Sequence, residues 1–331
     1  MIGMSLPKAR GRMLAGYLGW IVLAFHGGSV LAQTYPLRPI RIVLPYGAGG
    51  NSDIVARVLA QHLSDSLRQQ VIVDNRPGAG GIIATEIARQ AAPDGYTLLW
   101  LNTGHAVSVS LYKSLPYDPV RDFLPVSTVG YSALALVVSA ASSMRSVKDL
   151  IASARASPAK FNIGVTFVGS TNHLSAELFK SMAGIDVPVV PFKTTPALIA
   201  GVGGNEAQAI FEFIPPVLPL VSSGSLRALA VTSDSRSATL PGVPTLAEAG
   251  LPGYEASAWN GVAVPARTPQ AVVARLNREI NAIVSVPAVK QRLQELGVDA
   301  RGSTSESFHE LLVADIAKWR RVIEKAKIPR R

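Results

Sequence analysis

The sequence contains no cysteine among its 331 residues. Disulfide bonds, a cysteine nucleophile and a lipid anchor on an N-terminal cysteine are therefore excluded. The G-x-S-x-G turn of many hydrolases and the H-E-x-x-H pair of zinc enzymes are also absent. We accordingly expect a chain that is not an enzyme, with no catalytic residue, no metal site and no cofactor.

The apolar run near the N-terminus, "MLAGYLGWIVLAF", is too short to span a membrane. It has 13 residues, whereas a membrane-spanning helix needs about 20. Lys8, Arg10 and Arg12 precede it, and the small residues Val30 and Ala32 follow it at positions suited to cleavage. This pattern predicts a cleaved secretory signal peptide over residues 1–32, a mature chain that starts at Gln33, and a periplasmic location.

Acidic residues are few, with 22 Asp and Glu against 32 Lys and Arg, for a formal net charge of +10. Removing residues 1–32 takes away three basic residues and no acidic one, which leaves +7. The basic residues are scattered except for "KWRR" and "KAKIPRR" near the C-terminus, which we interpret as a solvated helix face. We therefore expect a weak attraction for anionic solutes and no nucleic-acid partner.

Strand-like and helix-like segments alternate after the predicted cleavage. "PIRIVLPY" and "QVIVDNRP" are apolar runs rich in Ile and Val, typical of buried parallel strands, and helical spacings follow both. "DGYTLLWLNTG" predicts a third strand that opens into a polar turn. The alternation predicts parallel βαβ units with helices on both faces of a sheet.

The strand and helix pattern restarts at "ALALVVSA" and continues through the strands "FNIGV", "VPVVPF", "AQAIFEF" and "LRALAVTS". "SAWNGVAVP" and two helices then complete the chain. We predict an α/β fold of two doubly wound lobes with mostly parallel sheets, lobe 1 being residues 33–131 plus 252–331 and lobe 2 residues 132–251. Two crossings between the lobes would form a hinge, with a ligand cleft between the sheets.

Glycine-containing turns precede helices at corresponding places in the two predicted lobes. "AGGNSDIVARVL" follows the first strand of lobe 1, and "VGSTNHLSAELF" follows "FNIGV" in lobe 2. Glycine lets backbone N–H groups approach an anion, and a helix N-terminus adds partial positive charge. Two such helix ends facing one cleft would clamp an anion, which could be a phosphate, a dinucleotide or a carboxylate.

The residues of the glycine turn in lobe 1 distinguish between a phosphate, a dinucleotide and a carboxylate as the ligand. A phosphate-binding P-loop needs Lys and then Ser or Thr after its last glycine, whereas this chain has Asn51, Ser52 and Asp53 there. A dinucleotide site needs a glycine where Ser52 stands, and Asp74 follows at a longer spacing than a ribose-binding acid. We therefore interpret the turn as a carboxylate cradle, in which the N–H groups from Gly49 to Ser52 face the ligand.

Several side chains near the predicted cleft can be interpreted from their positions in the sequence. Asp53 would repel a bound anion, so we expect it to cap backbone or brace the loop. Glu212 is either a solvated loop carboxylate or an acceptor for a ligand hydroxyl or ammonium group. His105 and His173 follow strands in polar turns and either bond backbone or act in a hydrolase. Trp259 is interpreted as core or hinge packing.

The mature sequence closely resembles the periplasmic solute receptors of tripartite tricarboxylate transporters, the Bug family. The resemblance extends over nearly the whole mature chain and depends on several segments together. In order, they are "YPLRPIRIVLPYGAGGNSDIVARVLA", "VIVDNRPGAGG", "AAPDGYTLL", "LPYDPVRDFLPVS", "HLSAELFKSMAGI", "LRALAVTSDSR", "LPGVPTLAEAG" and "TPQAVVARLN".

The resemblance implies a periplasmic-binding-protein fold, type II-like, that closes on a small organic acid and delivers it to two membrane subunits. It also implies ligand contacts, partly through water, in the turns after the first strand of each lobe, with a third segment at "NTGH". The predicted ligand-binding residues are Tyr46, Gly47, Ala48, Gly49, Gly50, Asn51, Ser52, Asp53, Asn102, Thr103, Gly104, His105, Val168, Gly169, Ser170, Thr171, Asn172, His173, Glu212 and Phe213.

The chain departs from the family pattern where the ligand body would lie. Glu212 stands where the family commonly has Asp, Phe213 stands where a small residue is usual, and the turn after "PFK" is one residue shorter. Phe213 suggests a smaller or more apolar ligand tail. We expect a monomeric solute-binding protein that delivers its ligand to a membrane transporter. The alternatives are a receptor for a membrane sensor kinase and an exported enzyme.

Overall fold

The structure is a computed structural model that describes residues 1–4 and 35–330. Most of the predicted signal peptide lies outside these described residues. All strands and helices below belong to the compact unit that begins at Arg38. Within residues 1–4 and 35–330, no helix is both long enough and apolar enough to cross a bilayer.

The strands and helices alternate along much of the chain. The strands are β1 Ile40–Leu44, β2 Val71–Asn75, β3 Thr97–Asn102, β4 Phe123–Ser132, β5 Leu134–Ser139, β6 Ile163–Val165, β7 Val189–Pro191, β8 Ala209–Phe213, β9 Leu226–Val231, β10 Ala258–Pro265 and β11 Asp299–Ala300. The helices are α1 Asn51–Leu67, α2 Ile82–Arg89, α3 Thr103–Leu111, α4 Val147–Ala156, α5 Thr171–Ala183, α6 Thr195–Gly203, α7 Ile214–Ser222, α8 Gln270–Ser285, α9 Pro287–Glu295 and α10 Ser305–Lys325.

The strands form two sheets of related topology. The first has the order β11-β4-β10-β3-β1-β2 and the second β7-β6-β8-β5-β9. In the first sheet β1 pairs in parallel with β2 and β3, and β10 is antiparallel to β3. In the second, β6 pairs in parallel with β7 and β8, and β5 is antiparallel to β8. The predicted α/β fold of two doubly wound sheets is confirmed.

Both sheets are mixed, which corrects the prediction of mostly parallel sheets. Strands β4 and β5 are separated by Ala133 alone, and β9 and β10 are joined by the segment 232–257, so both pairs connect the two sheets. The carboxyl ends of β1 and β3 face the second sheet. A strand that enters from that sheet must therefore run in the opposite direction, as β10 does. The antiparallel pairs follow from the two crossings between sheets.

Local patterns predicted some elements well and missed others. The helix predicted from "NSDIVARVLAQHLSDSL" coincides with α1, and β1 is almost wholly buried, as expected of its apolar run. β4 was not predicted, because Pro125 and Gly130 interrupt its apolar pattern. The predicted polar turn at "NTGH" is wrong after Asn102, since α3 begins at Thr103. Three helices follow β10 instead of the predicted two.

The segments that connect the sheets are held together at Thr232. The Leu134 N–H group donates to the Thr232 hydroxyl at 2.9 Å, and the Ala256 N–H group donates to the Thr232 carbonyl at 3.0 Å. One hydrophobic cluster contains residues of both sheets together with the buried face of α10, including Trp319. The two crossings therefore lie side by side, which places the carboxyl ends of β1 and β3 opposite those of β6 and β8.

Candidate functional site

The turns before α1 and α5 have the same local structure. Gly49 and Gly169 both lie in the left-handed backbone region, with φ of 83° and 84°, where glycine has no Cβ penalty. Each glycine donates its N–H group to the side chain four residues later. Gly49 N is 2.9 Å from Asp53 Oδ2, and Gly169 N is 3.1 Å from His173 Nδ1. Both sheets therefore carry one glycine turn tied to the first turn of its helix.

Asp53 braces the turn before α1, as predicted. It is only 2% exposed and accepts hydrogen bonds from Arg57 Nε and Asn75 Nδ2, both at 2.9 Å. Burial opposes ionisation, but the bonds from Arg57, Gly49 and Asn75 outweigh it and lower the pKa of Asp53 to about 2. Because Gly49 donates to Asp53, the prediction that its N–H group faces a ligand is wrong.

The N–H groups at the start of α1 remain open. The first N–H groups of a helix have no intrahelical acceptor. Gly50 is the N-cap without a side-chain cap, and within the described residues the N–H groups of Gly50, Asn51 and Ser52 meet no acceptor. Gly47 and Ala48 lie exposed in the same turn. A short row of N–H donors thus meets solvent at the carboxyl end of β1.

Ser170 caps α5. Its hydroxyl accepts from the His173 N–H group at 3.1 Å, and its own N–H group donates to the Phe167 carbonyl at 3.1 Å. Two N–H groups of the first turn, those of Thr171 and Asn172, meet no acceptor in the part of the chain that the structure describes. The second helix end therefore also has N–H groups without a protein acceptor.

His173 fills the same place as Asp53 but with a neutral ring. Burial, and then the charge of Lys180, lower its pKa to about 4. Since Nδ1 accepts from Gly169, the proton of the neutral ring is on Nε2, which lies 3.9 Å from Glu177 Oε1. The interpretation of His173 as a residue that bonds backbone agrees with this geometry.

The lowered pKa of His173 predicts that the free energy of unfolding decreases as the pH falls from 6.5 to about 4. The unfolded chain takes up a proton near pH 6.5, whereas the folded ring takes it up only near pH 4, so the free energy of unfolding should fall by roughly 2–3 kcal/mol as the pH is lowered across that interval. Urea unfolding at several pH values measures it. His173→Asn, which cannot titrate, should flatten the fall, whereas the exposed His309→Asn should not. An unchanged slope in His173→Asn contradicts this account.

Glu212 is buried and fully engaged within the protein. It is 2% exposed, and its Oε1 accepts from the Phe213 N–H group at 2.7 Å and from Asn172 Nδ2 at 3.2 Å. Its Oε2 accepts from the Thr195 hydroxyl at 3.0 Å. Burial raises the pKa of Glu212, and these hydrogen bonds oppose the rise. The carboxylate is therefore not solvated, and it braces the start of α5 through Asn172.

The start of α3 is held by contacts with β10 and, through the preceding Asn102, with the turn before α1. Asn102 donates to the Tyr46 hydroxyl, which joins the end of β3 to the turn before α1. The Thr103 hydroxyl accepts from the Trp259 N–H group at 2.9 Å. Gly104 is exposed. This third predicted segment is thus tied to the first turn by the Asn102 contact.

His105 points into the protein and was wrongly predicted to lie in a polar turn. It is buried, its Nε2 lies 3.0 Å from the Pro119 carbonyl oxygen, and its ring stacks on Tyr117 with centroids 5.8 Å apart. Trp259 is also buried and donates from Nε1 to Asp315 Oδ2 at 2.6 Å. Phe213 is half-buried and packs against the core. His105 therefore belongs to the packing that holds α3.

Three bracing residues escaped the sequence analysis. Asn75 donates to Asp53 and to the Tyr46 carbonyl at 3.0 Å, Arg57 pairs with Asp53, and Thr195 binds Glu212. Arg57 follows Asp53 at the helical i, i+4 spacing, which could have indicated the pair. Asn75 and Thr195 contact residues of other elements that are distant in the chain, so the chain order alone gave no signal for them. Within residues 1–4 and 35–330, no cluster of three His, Asp or Glu side chains could hold a metal ion.

Comparisons with known proteins agree with this architecture. Residues 55–328 match the model of the tripartite tricarboxylate transporter family receptor. Protein BugT of Bordetella pertussis is 37% identical over 316 residues, which cover 95% of this chain and 97% of BugT.

Two solved structures are also similar. Rpa4515 of R. palustris with adipate is 34% identical with a TM-score of 0.74, covering 90% of this chain and all of that one. The periplasmic binding protein BugD is 29% identical with a TM-score of 0.71, again covering 90% and 100% of the two chains. The family match and the BugT alignment both span most of the sequence. This chain therefore belongs to the family of tripartite tricarboxylate transporter receptors, which includes solute-binding proteins of the periplasm.

Proposed function

We propose that this protein is a periplasmic receptor that binds the carboxylate of a small organic acid between the N-termini of α1 and α5. The observation that carries the proposal is the pair of matching glycine turns, each followed by open N–H groups. Each helix end favours an anion by about 0.3–1 kcal/mol beyond its hydrogen bonds. The adipate in the structure of Rpa4515 supports a carboxylate as the ligand class.

The receptor would close by a rotation of two lobes about the paired crossings. We propose lobe 1 as residues 33–131 plus 252–331 and lobe 2 as residues 132–251. The division of the strands supports this assignment, because β1 to β4, β10 and β11 form one sheet and β5 to β9 the other. Closure would bring the two sets of N–H donors together on one carboxylate.

Export and delivery complete the proposed function. A signal peptide over residues 1–32 would carry the chain to the periplasm, and the closed monomer would dock on integral membrane subunits of the transporter. Binding without catalysis is supported by the two histidines: a ring nitrogen of His105 lies against the Pro119 carbonyl, and one of His173 accepts from Gly169. No feature of the described residues favours a sensor kinase as the partner.

A thermal-shift screen tests the ligand class. The chain from residue 33 onward would be screened with mono-, di- and tricarboxylates, acidic amino acids, aromatic acids and nicotinamide cofactors. A ligand at 100 times its Kd adds about 2.7 kcal/mol to stability, which gives a clear rise in melting temperature. Stabilisation by carboxylates alone supports the proposal, whereas stabilisation by a cofactor alone contradicts it.

A further inference from the structure

The turns that carry the open N–H groups also expose large apolar side chains. Phe167 is 65% exposed and Val168 is 37% exposed in the turn between β6 and α5, and Tyr46 is 38% exposed in the turn between β1 and α1. Single exposed apolar residues are ordinary on protein surfaces. These three, by contrast, flank the two helix ends of the candidate site.

The turn of Phe167 and Val168 faces the first sheet. A Cβ atom placed on Gly169, the next residue, would lie 2.8 Å from Leu111 Cδ1 at the end of α3. On the opposite side, the Tyr46 hydroxyl accepts the hydrogen bond from Asn102 at the end of β3, and Asn75 donates to the Tyr46 carbonyl. Tyr46 is therefore held at the carboxyl edge of the first sheet, near the start of α3, whereas the turn of Phe167 contacts the end of α3.

The site has few polar side chains left for the body of a ligand. Both oxygens of Asp53 and both of Glu212 accept hydrogen bonds from the protein, and His173 and Asn172 are likewise engaged. Of the predicted site residues, the side chains of Asn51, Ser52 and Thr171 make no hydrogen bond within the described residues. All three are in the first turns of α1 and α5, beside the N–H groups.

We propose that Phe167, Val168 and Tyr46 form an apolar rim that selects organic acids with an unsubstituted hydrocarbon body over hydroxylated acids of the same length and charge. The inference rests on the proposed function. A hydroxyl group packed against the side chains of Phe167 and Val168 would lose its water without gaining a partner from them, which is unfavourable, because neither side chain has a hydrogen-bonding group. A hydrocarbon chain there would cover part of Phe167 and be removed from water with it.

Matched pairs of acids test this selection by calorimetry on the purified protein. Adipate and galactarate share six carbons and two carboxylates and differ only in hydroxyl groups, as hexanoate and gluconate do with one carboxylate. We expect the unsubstituted acid of at least one pair to bind at least about tenfold tighter, which corresponds to roughly 60 Å² of apolar surface. Equal or tighter binding of the hydroxylated acids overturns the inference but leaves the proposed function intact.

Variants then assign the preference to the rim. Phe167→Ala should reduce the preference about tenfold and leave the fold unchanged, because the ring is mostly exposed. Phe167→Leu should retain most of the preference for the unsubstituted acid, because leucine keeps an apolar side chain at this position. Val313→Ala, an exposed apolar position on α10, is the matched control. A preference that survives Phe167→Ala overturns the role of Phe167. If no carboxylate of any class binds, the proposed function fails together with the inference.

Discussion

Replacing Gly50 with tryptophan should abolish binding of the organic acid while leaving the protein folded. Gly50 has φ of −77° and ψ of 165°, which any residue can adopt. The nearest atom to an added Cβ is the Gly47 carbonyl oxygen at 3.9 Å, so the indole would extend into open space beside the N–H donors of α1. We expect affinity to fall by on the order of 100-fold or more, because small displacements at such a site have large effects.

The measurement pairs binding with stability. Calorimetry with an acid that stabilises the wild-type protein gives the affinity, and thermal unfolding shows that the variant is folded. Gly242→Trp is the matched control, since Gly242 is exposed, lies outside the turns before α1 and α5, and has no atom within 4 Å of an added Cβ. Wild-type affinity in Gly50→Trp would remove the start of α1 from the binding site.

Replacing Gly261 with alanine should cause a large loss of stability. Gly261 is in β10, between β3 and β4. An added Cβ would lie 2.5 Å from Phe308 Cε1 and 2.8 Å from the Ser127 carbonyl oxygen. Phe308 is fully buried and packs edge-on to Trp259 with centroids 5.2 Å apart. Neither neighbour can move freely, so we expect the free energy of unfolding to fall by about 3 kcal/mol.

Urea unfolding measures this loss. Gly203→Ala, the same substitution near the end of α6 where no atom lies within 4 Å, should be neutral or stabilise slightly. In the double variant Gly261→Ala with Phe308→Leu, the smaller side chain should relieve part of the clash, so the two effects should not add. If Gly261→Ala is as stable as the wild type, α10 packs less closely on β10 than described.

The Gly50→Trp and Gly261→Ala experiments test two different parts of the molecule, the surface of the candidate site and the core beneath it. Gly50 is at the surface of the candidate site, where a side chain interferes with a ligand and leaves the core unchanged. Gly261 is in the central strand that returns from the second sheet, where a single methyl group interferes with the core. A binding defect from Gly50→Trp without loss of stability, together with a loss of stability from Gly261→Ala that Gly203→Ala does not show, would separate the site from its support.

Much of the local structure could be predicted because short-range physics decides it. The apolar run of β1 and the helical spacing from Asn51 to Leu67 depend on neighbours along the chain. The same holds for the turns at Gly49 and Gly169, where only glycine adopts the required φ without strain. Composition was equally informative, since the absence of cysteine excludes thiol chemistry throughout the chain.

The roles of the buried carboxylates and histidines required the tertiary structure. Asp53 and Asn75 are 22 residues apart, and Asn172 and Glu212 are 40 apart, so their contacts depend on how strands pair. His105 was predicted in a polar turn but is buried against Tyr117, because α3 begins earlier and turns the ring inward.

The α/β pattern and the two glycine turns could be predicted from the sequence alone, because both depend on residue type and local spacing, and the resemblance to a receptor family depends on sequence segments along nearly the whole mature chain. The antiparallel course of β10 between β3 and β4, and the contact by which Glu212 braces α5, became known only from the tertiary structure. It also decided which N–H groups remain open, since Gly49 is engaged by Asp53. The physical reason is that hydrogen-bond partners and burial are properties of surfaces brought together by folding, and residues distant in the chain supply those surfaces.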